Sequence, residues 1–263
     1  MNILNVAADR RGFLKSAAGA AMALSARAQL QAPPNIVLIV ADDLGYGDLS
    51  CYGSRIFTPN IDQLAQEGVR FTQFTSSSPV CSPSRAGWMT GRYSTRFGVP
   101  RVLDPSDTYG LPDSETTMAQ MLKPSGYATM CVGKWHLGSL PQYLPTNRGF
   151  DEFYGIPYSI DQGNRPLMRN LDILEEPARL DTLTQRYTQR AVDFVNRSKD
   201  KPFFLYVPHV MPHVPIFASE RFRGTSERGL YGDVIQELDW SVGEILAALT
   251  KHGLDEKSIV VPG

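Results

Sequence analysis

The sequence predicts an α/β fold with a mostly parallel central sheet and helices on both faces. Short apolar, β-branched runs alternate with stretches of helical period from residue 35 onward. The first run, Asn35-Ile36-Val37-Leu38-Ile39-Val40, is continuously apolar, as a strand buried on both faces must be. Polar clusters follow the strands, and in open α/β sheets ligands bind beyond the strands' carboxyl ends.

After the first strand, Thr58-Pro59-Asn60 through Glu67 reads as a helix, with Thr58 as N-cap, Pro59 at its first position and Gly68 as stop. Gly126 to Val132 forms the second strand and Pro202 to Val207 the third. Residues 138–180 are rich in loop formers and carry no assigned element. A helix near Asp181 to Ser198 aligns Leu183, Tyr187, Ala191, Phe194 and Val195 on one face. Another, near Tyr231 to His252, aligns Val234, Ile235, Leu238, Val242, Ile245, Leu246 and Leu249 and ends at Gly253. A last strand begins at Lys257-Ser258-Ile259-Val260-Val261.

At 263 residues, with 42% hydrophobic and 20% charged residues, the chain can bury one large core, which excludes a disordered or fibrous protein. Lys and Arg total 26 against 27 Asp and Glu, so no basic excess points to nucleic acid. Four of the cations, Arg10, Arg11, Lys15 and Arg27, lie within residues 1–28, which leaves a mildly acidic body. Any anion site must therefore be built locally. Three cysteines, Cys51, Cys81 and Cys131, are too few for a disulfide scaffold and leave at least one thiol unpaired.

Residues 1–28 read as an address. Arg10-Arg11-Gly12-Phe13-Leu14-Lys15, a short apolar stretch and Ala26-Arg27-Ala28 together resemble a cleavable twin-arginine export signal, with Asp9 where Ser or Thr is usual. The apolar stretch is far below the roughly 20 residues that span a bilayer. The expectation is a protein exported folded through the Tat translocon, periplasmic or secreted, with no membrane span after cleavage.

Two constellations carry chemistry. Ala41-Asp42-Asp43-Leu44-Gly45 places adjacent carboxylates at the end of a buried strand, where they repel unless a cation sits between or beside them; hard oxygen donors favour Ca²⁺ or Mg²⁺. In Val80-Cys81-Ser82-Pro83-Ser84-Arg85, Pro83 suits the first turn of a helix, with Cys81 at its positive end and Arg85 one turn on. Backbone N–H groups and a guanidinium there form an anion site for a sulfate- or phosphate-like group.

Cys81-Ser82-Pro83-Ser84-Arg85 with Thr90-Gly91 resembles the C-x-P-S-R signature of type I sulfatases, in which the cysteine is oxidised to formylglycine. Gly126-Tyr127-Ala128-Thr129-Met130-Cys131-Val132-Gly133-Lys134-Trp135-His136 resembles the second signature of that family. Gly155-Ile156-Pro157-Tyr158-Ser159-Ile160-Asp161-Gln162-Gly163 is similar to the arylsulfatase A branch, in which the serine at the position of Ser159 lies in the active site, and Pro208 to Pro215 resembles the P-H-x-P element of sulfatases, which selects His213 over His209. The resemblance implies an alkaline phosphatase-like/sulfatase sandwich, with residues 35–263 as the N-terminal part of the catalytic domain.

It also implies an arylsulfatase-like sulfuric ester hydrolase acting on small-molecule or carbohydrate sulfate esters. In that scheme a formylglycine-generating enzyme modifies Cys81, and Asp42, Asp43 and modified Cys81 bind Ca²⁺. Arg85 supports the modified residue, and His136 positions or deprotonates the hydrated aldehyde. Lys134, Ser159 and His213 complete the site, with Lys134 and His213 neutralising developing charge or assisting the leaving alcohol. The family continues the last strand into further metal ligands, a lysine and a C-terminal subdomain. The sequence-level expectation is therefore a C-terminally incomplete fold with weak metal binding. Alternatives are a phosphonate or phosphate monoester hydrolase of the same superfamily and an inactive truncated remnant.

Overall fold

The computed structural model describes residues 33–263. The expected export signal at residues 1–28 lies outside the described residues. Five parallel strands, β1 (Asn35–Val40), β2 (Ala128–Lys134), β3 (Glu152–Ile156), β6 (Phe203–Pro208) and β7 (Ser258–Pro262), are extended by an antiparallel pair, β4 (Leu167–Arg169) and β5 (Asp172–Glu175). Their order across the sheet is β5-β4-β3-β2-β6-β1-β7. The α/β class with a mostly parallel sheet is as expected, and the strands expected near residues 35, 126, 202 and 257 lie within two residues of those places.

Residues 138–180 do contain regular structure, namely β3, β4, β5 and two short 3-10 turns at Pro141–Tyr143 and Pro145–Arg148. These strands run only five, three and four residues. Segments that short have no measurable period. Their pairing comes from β2, beside which β3 lies with Gly155 opposite Gly133.

Strand alternation builds two cores. Val37 and Ile39 of β1, Met130 and Val132 of β2, and Phe203, Leu205 and Val207 of β6 point to one face. There they meet α4 (Leu183–Ser198) and α5 (Gly229–Lys251) through Tyr187, Ala191, Phe194, Val234, Leu238 and Ile245. Val40, Cys131, Phe204 and Tyr206 point to the other face, against α2 (Cys81–Thr90), α3 (Met118–Leu122), Trp135 and Phe150. Burial of the Cys131 thiol on this second face pushes its pKa far up, as suits the inert thiol of an apolar strand.

The helix α1 (Pro59–Glu67) begins after Thr58 as expected, but the Thr58 hydroxyl does not cap it. That hydroxyl accepts from the Ser50 N–H and donates to Asp62. The open N–H groups of Asn60 and Ile61 are taken instead by Asp239 of α5, at 3.3 and 2.9 Å, which ties the two helices together. Helix α5 stops where Gly253 adopts φ 61°, so the glycine read as its terminator does act as one.

Gly133 and Gly155 set the spacing at the middle of the sheet. A Cβ on Gly155 would lie 1.8 Å from the Gly133 carbonyl oxygen, and one on Gly133 would lie 1.9 Å from that of Pro208. Gly133 also has φ 140°, a conformation that side chains resist. The backbones of β2, β3 and β6 thus approach more closely than any residue with a Cβ would permit. We predict that Gly155→Ala lowers unfolding free energy by about 3 kcal/mol or more, since the clash is with backbone and not with a movable side chain. Urea titration of the two proteins measures it; a loss under about 1 kcal/mol would contradict this account of the sheet centre.

Candidate active site

Four neighbouring strands end on the same edge of the sheet, and each end delivers one polar group. In spatial order these are Ser159 beyond β3, Lys134 closing β2, His213 beyond β6, and Asp42 beyond β1. Helix α2 brings Cys81 and Arg85 to the same place. The sequence-predicted residues from five separate segments therefore converge, as the strand-end rule anticipates.

Lys134 lies at the centre and is fully buried. Its ammonium has three protons and three partners: Asp42 Oδ2 at 2.6 Å, Ser159 Oγ at 2.9 Å and Cys81 Sγ at 3.4 Å. Arg85, 1% exposed, donates to the Lys134 carbonyl at 2.6 Å and pairs with Asp42 Oδ1 at 3.3 Å. Burial alone would raise the Asp42 pKa, but the adjacent Arg85 and Lys134 bring it down to about 2. Burial opposes the charge of Arg85 too, and Asp42 outweighs it, so Arg85 stays protonated.

Cys81 opens α2 after Val80, whose extended backbone supplies no side-chain cap. The sulfur is therefore at the positive end of the helix, 3.7 Å from Asp42 Oδ1. His213 reaches the same sulfur. Its Nδ1–H donates to the Val214 carbonyl at 2.6 Å, and its Nε2 is 3.8 Å from Asp43 Oδ2. The hydrogen bond with Cys81 raises its pKa to about 9, so the imidazole is protonated at neutral pH.

His136 has the opposite character. Burial, then the charge of Lys134, lowers its pKa to about 3. Its Nε2 donates to the Leu103 carbonyl at 2.8 Å, while its Nδ1 is buried without a partner. His209 is structural, as expected: fully buried, it bonds Ser241 of α5 at 3.2 Å, and burial lowers its pKa to about 4. Asp43 and His136 both have left-handed backbones, φ 69° and 60°, and Asp and His are among the residues that best tolerate them.

The donor set fits a hard divalent cation under one condition. Asp42 is held ionised, and the side chain of Asp43 is 62% exposed, turned outward by the αL step after β1. Among the described residues, the compact grouping of potential ligand atoms is Asp42, Cys81 and His213, within 4.8 Å of one another, with Asp43 beside His213. A thiol and an imidazole are soft or borderline donors, so Ca²⁺ fits when Cys81 presents an oxygen instead of sulfur.

Three contributors escaped sequence reasoning. Asp161, exposed beyond β3, accepts a hydrogen bond from the Ser159 side chain, which helps hold its pKa low against burial. Gln162 and the Leu103 backbone brace the site from its rim. Asp161 and Gln162 lie in the same arylsulfatase A-like stretch as Ser159, which singled out the serine alone; a backbone carbonyl leaves no signal. A cavity of about 1010 Å³ opens from Asp42 and Cys81 past Tyr46, Phe71, Phe74 and Val260.

Residues 34–261 match the family described as Sulfatase. Human arylsulfatase A is 43% identical over 269 residues, which cover 91% of this chain and 53% of that protein. Human N-acetylgalactosamine-6-sulfatase is 43% identical over 244 residues, covering 82% and 47%. The structure of a sulfatase from Pseudoalteromonas sp. superimposes with a TM-score of 0.80 at 27% identity, covering 90% of this chain and 56% of that one. The chain spans about half the length of the curated relatives it matches.

The buried charges lead to two predictions. Asp42→Asn leaves Arg85 and Lys134 buried without their carboxylate, and unfolding free energy should fall by about 3–5 kcal/mol, as read from chemical denaturation. The second concerns pH. His136 and His209 stay neutral in the folded state down to about 3 and 4. The unfolded chain takes up their protons near pH 6.5, so stability is full above that value and is lost as pH falls. Each contributes a slope approaching about 1.4 kcal/mol per pH unit. His209→Gln should therefore flatten the decline between pH 6 and 5 to roughly half, and an unchanged slope would show that His209 is not neutral.

Proposed function

The chain belongs to the sulfatase family, and from that premise we propose that it cleaves sulfate monoesters at the cluster around Cys81. The observation that carries this reading is the convergence on one sulfur of a buried lysine, an ionised aspartate and a protonated histidine. Family membership supports oxidation of Cys81 to formylglycine by a formylglycine-generating enzyme. Hydrated, that residue supplies two hydroxyls, one to attack sulfur and one to expel sulfate as the carbonyl re-forms.

Protonation states divide the work. Neutral His136, with its Nε2–H committed to Leu103, has only the Nδ1 lone pair to offer and can position the hydrated aldehyde as a hydrogen-bond acceptor. His213, which is protonated at neutral pH while Cys81 is a thiol, stands where it can neutralise a sulfate oxygen or assist the leaving alcohol. Lys134 and Ser159 face the same space and can bind the remaining sulfate oxygens. Arg85 holds Asp42 and the Lys134 carbonyl in register. Asp42 and Asp43, with an oxygen of modified Cys81, would hold Ca²⁺, or Mg²⁺ in its place. The cation would supply positive charge that acidifies the attacking hydroxyl and binds sulfate oxygen.

The substrate class is a sulfate ester of a small molecule or carbohydrate. Paired Arg10-Arg11 with Phe13-Leu14-Lys15 supports export through the Tat translocon to the periplasm or beyond. Modification of Cys81 would then come before export, while the segment is still unfolded. Among the described residues no helix is long and apolar enough to cross a membrane.

Peptide mass spectrometry of the natively expressed chain tests the nucleophile. The tryptic peptide containing Cys81 should be lighter than its thiol form by about 18 Da. The same preparation should hydrolyse an aryl sulfate in preference to the aryl phosphate of the same phenol. An intact thiol with no sulfate release would refute the reading, and a preference for phosphate would move the chain to phosphate monoester chemistry.

A further inference from the structure

We infer that Gln162 is a positioning residue that clamps the loop carrying Leu103 onto the candidate active site, and through that loop holds His136 and the start of α2. The carboxamide of Gln162 makes two bonds of opposite sense. Its Oε1 accepts from the Ser159 N–H at 3.2 Å, and its Nε2 donates to the Leu103 carbonyl at 3.3 Å. An amide N–H only donates and a carbonyl only accepts, so these partners admit one orientation of the side chain.

The Leu103 backbone is in turn a hub. Its carbonyl also accepts from His136 Nε2 at 2.8 Å, and its N–H donates to Ser82 Oγ at 3.0 Å. Leu103, Ser82 and His136 are all buried, so these bonds do not compete with bulk water. One residue of a loop thus joins the helix turn that starts at Cys81, the turn after β2 and the turn after β3. Gln162 supplies the third of those connections.

The clamp also selects a tautomer. Because the Leu103 oxygen cannot donate, His136 must carry its proton on Nε2, which leaves the buried, unpartnered Nδ1 as the free acceptor. If the loop moved, His136 would lose the partner that defines this state. The proposal rests on the functional reading only for what His136 then does; that it is held this way stands on the hydrogen bonds alone.

The chain has four histidines, so ¹⁵N-histidine labelling of the whole protein gives a sparse spectrum, and the signal missing from His136→Gln identifies the His136 Nε2–H. Two variants are compared with the wild type. Gln162→Met keeps the length and removes both bonds; Gln162→Glu keeps the acceptor for the Ser159 N–H and removes the donor to Leu103. Exchange of the His136 Nε2–H with solvent should quicken about tenfold in both, as expected when one hydrogen bond holding the loop is lost. A merely space-filling Gln162 would leave that signal unmoved. Wild-type exchange in either folded variant overturns the proposal, and if one variant fails to fold the other decides. Loss of activity with an unmodified Cys81 would count against the functional reading and leave this result intact.

Discussion

A buried ammonium is tolerable only when each of its protons has somewhere to go. Lys134 meets that condition by reaching Asp42, Ser159 and Cys81 from the end of the second strand, and the rest of the site is arranged around it. Asp42 must be ionised to serve it, and Asp42 is ionised because Arg85 stands on its other oxygen. Arg85 is held by the carbonyl of Lys134 itself. The three charges are thus mutually dependent, and their positions are imposed by β1, β2 and α2, whose packing in turn depends on the two cores.

The contrast between the histidines follows from distance to that cluster and from water. His136 lies deeper, beside the cationic Lys134 and away from solvent, so its charged form is disfavoured twice. His213 is partly exposed and bonds the Cys81 sulfur, with two aspartates near it, so its charged form is favoured. Two chemically identical groups near the same lysine are thus driven in opposite directions, one by burial and a neighbouring cation and the other by a sulfur and nearby carboxylates.

Much of this was legible in the sequence where a long run or a long signature spoke. The apolar run of β1 and the helical faces of α4 and α5 marked their elements because burial on a sheet imposes a period. Cys81-Ser82-Pro83-Ser84-Arg85 and Gly133-Lys134-Trp135-His136 marked the site because each belongs to a long signature that resembles a known family, one opening a helix and the other closing a strand. The short strands β3 to β5 were not legible, since their pairing is decided by β2 and not by their own residues. Thr58 shows the same limit in miniature: its type marked a helix start, but a partner on α5, far away in sequence, does the capping. The outward turn of Asp43 was likewise hidden, because adjacent carboxylates look equivalent until the backbone angle between them is known.

The Leu103 hub works through main-chain atoms, so its information is carried by the path of the loop and not by the identity of a side chain. A survey that replaces side chains one at a time would register residue 103 as an ordinary buried leucine and pass over the junction. Sensitivity there belongs to loop length and to proline, which removes the N–H that Ser82 receives. The junction is accordingly exposed to insertion and deletion between Gly98 and Tyr109 more than to exchange of side chains, and two chains could share every side chain of the site yet differ in how firmly it is assembled.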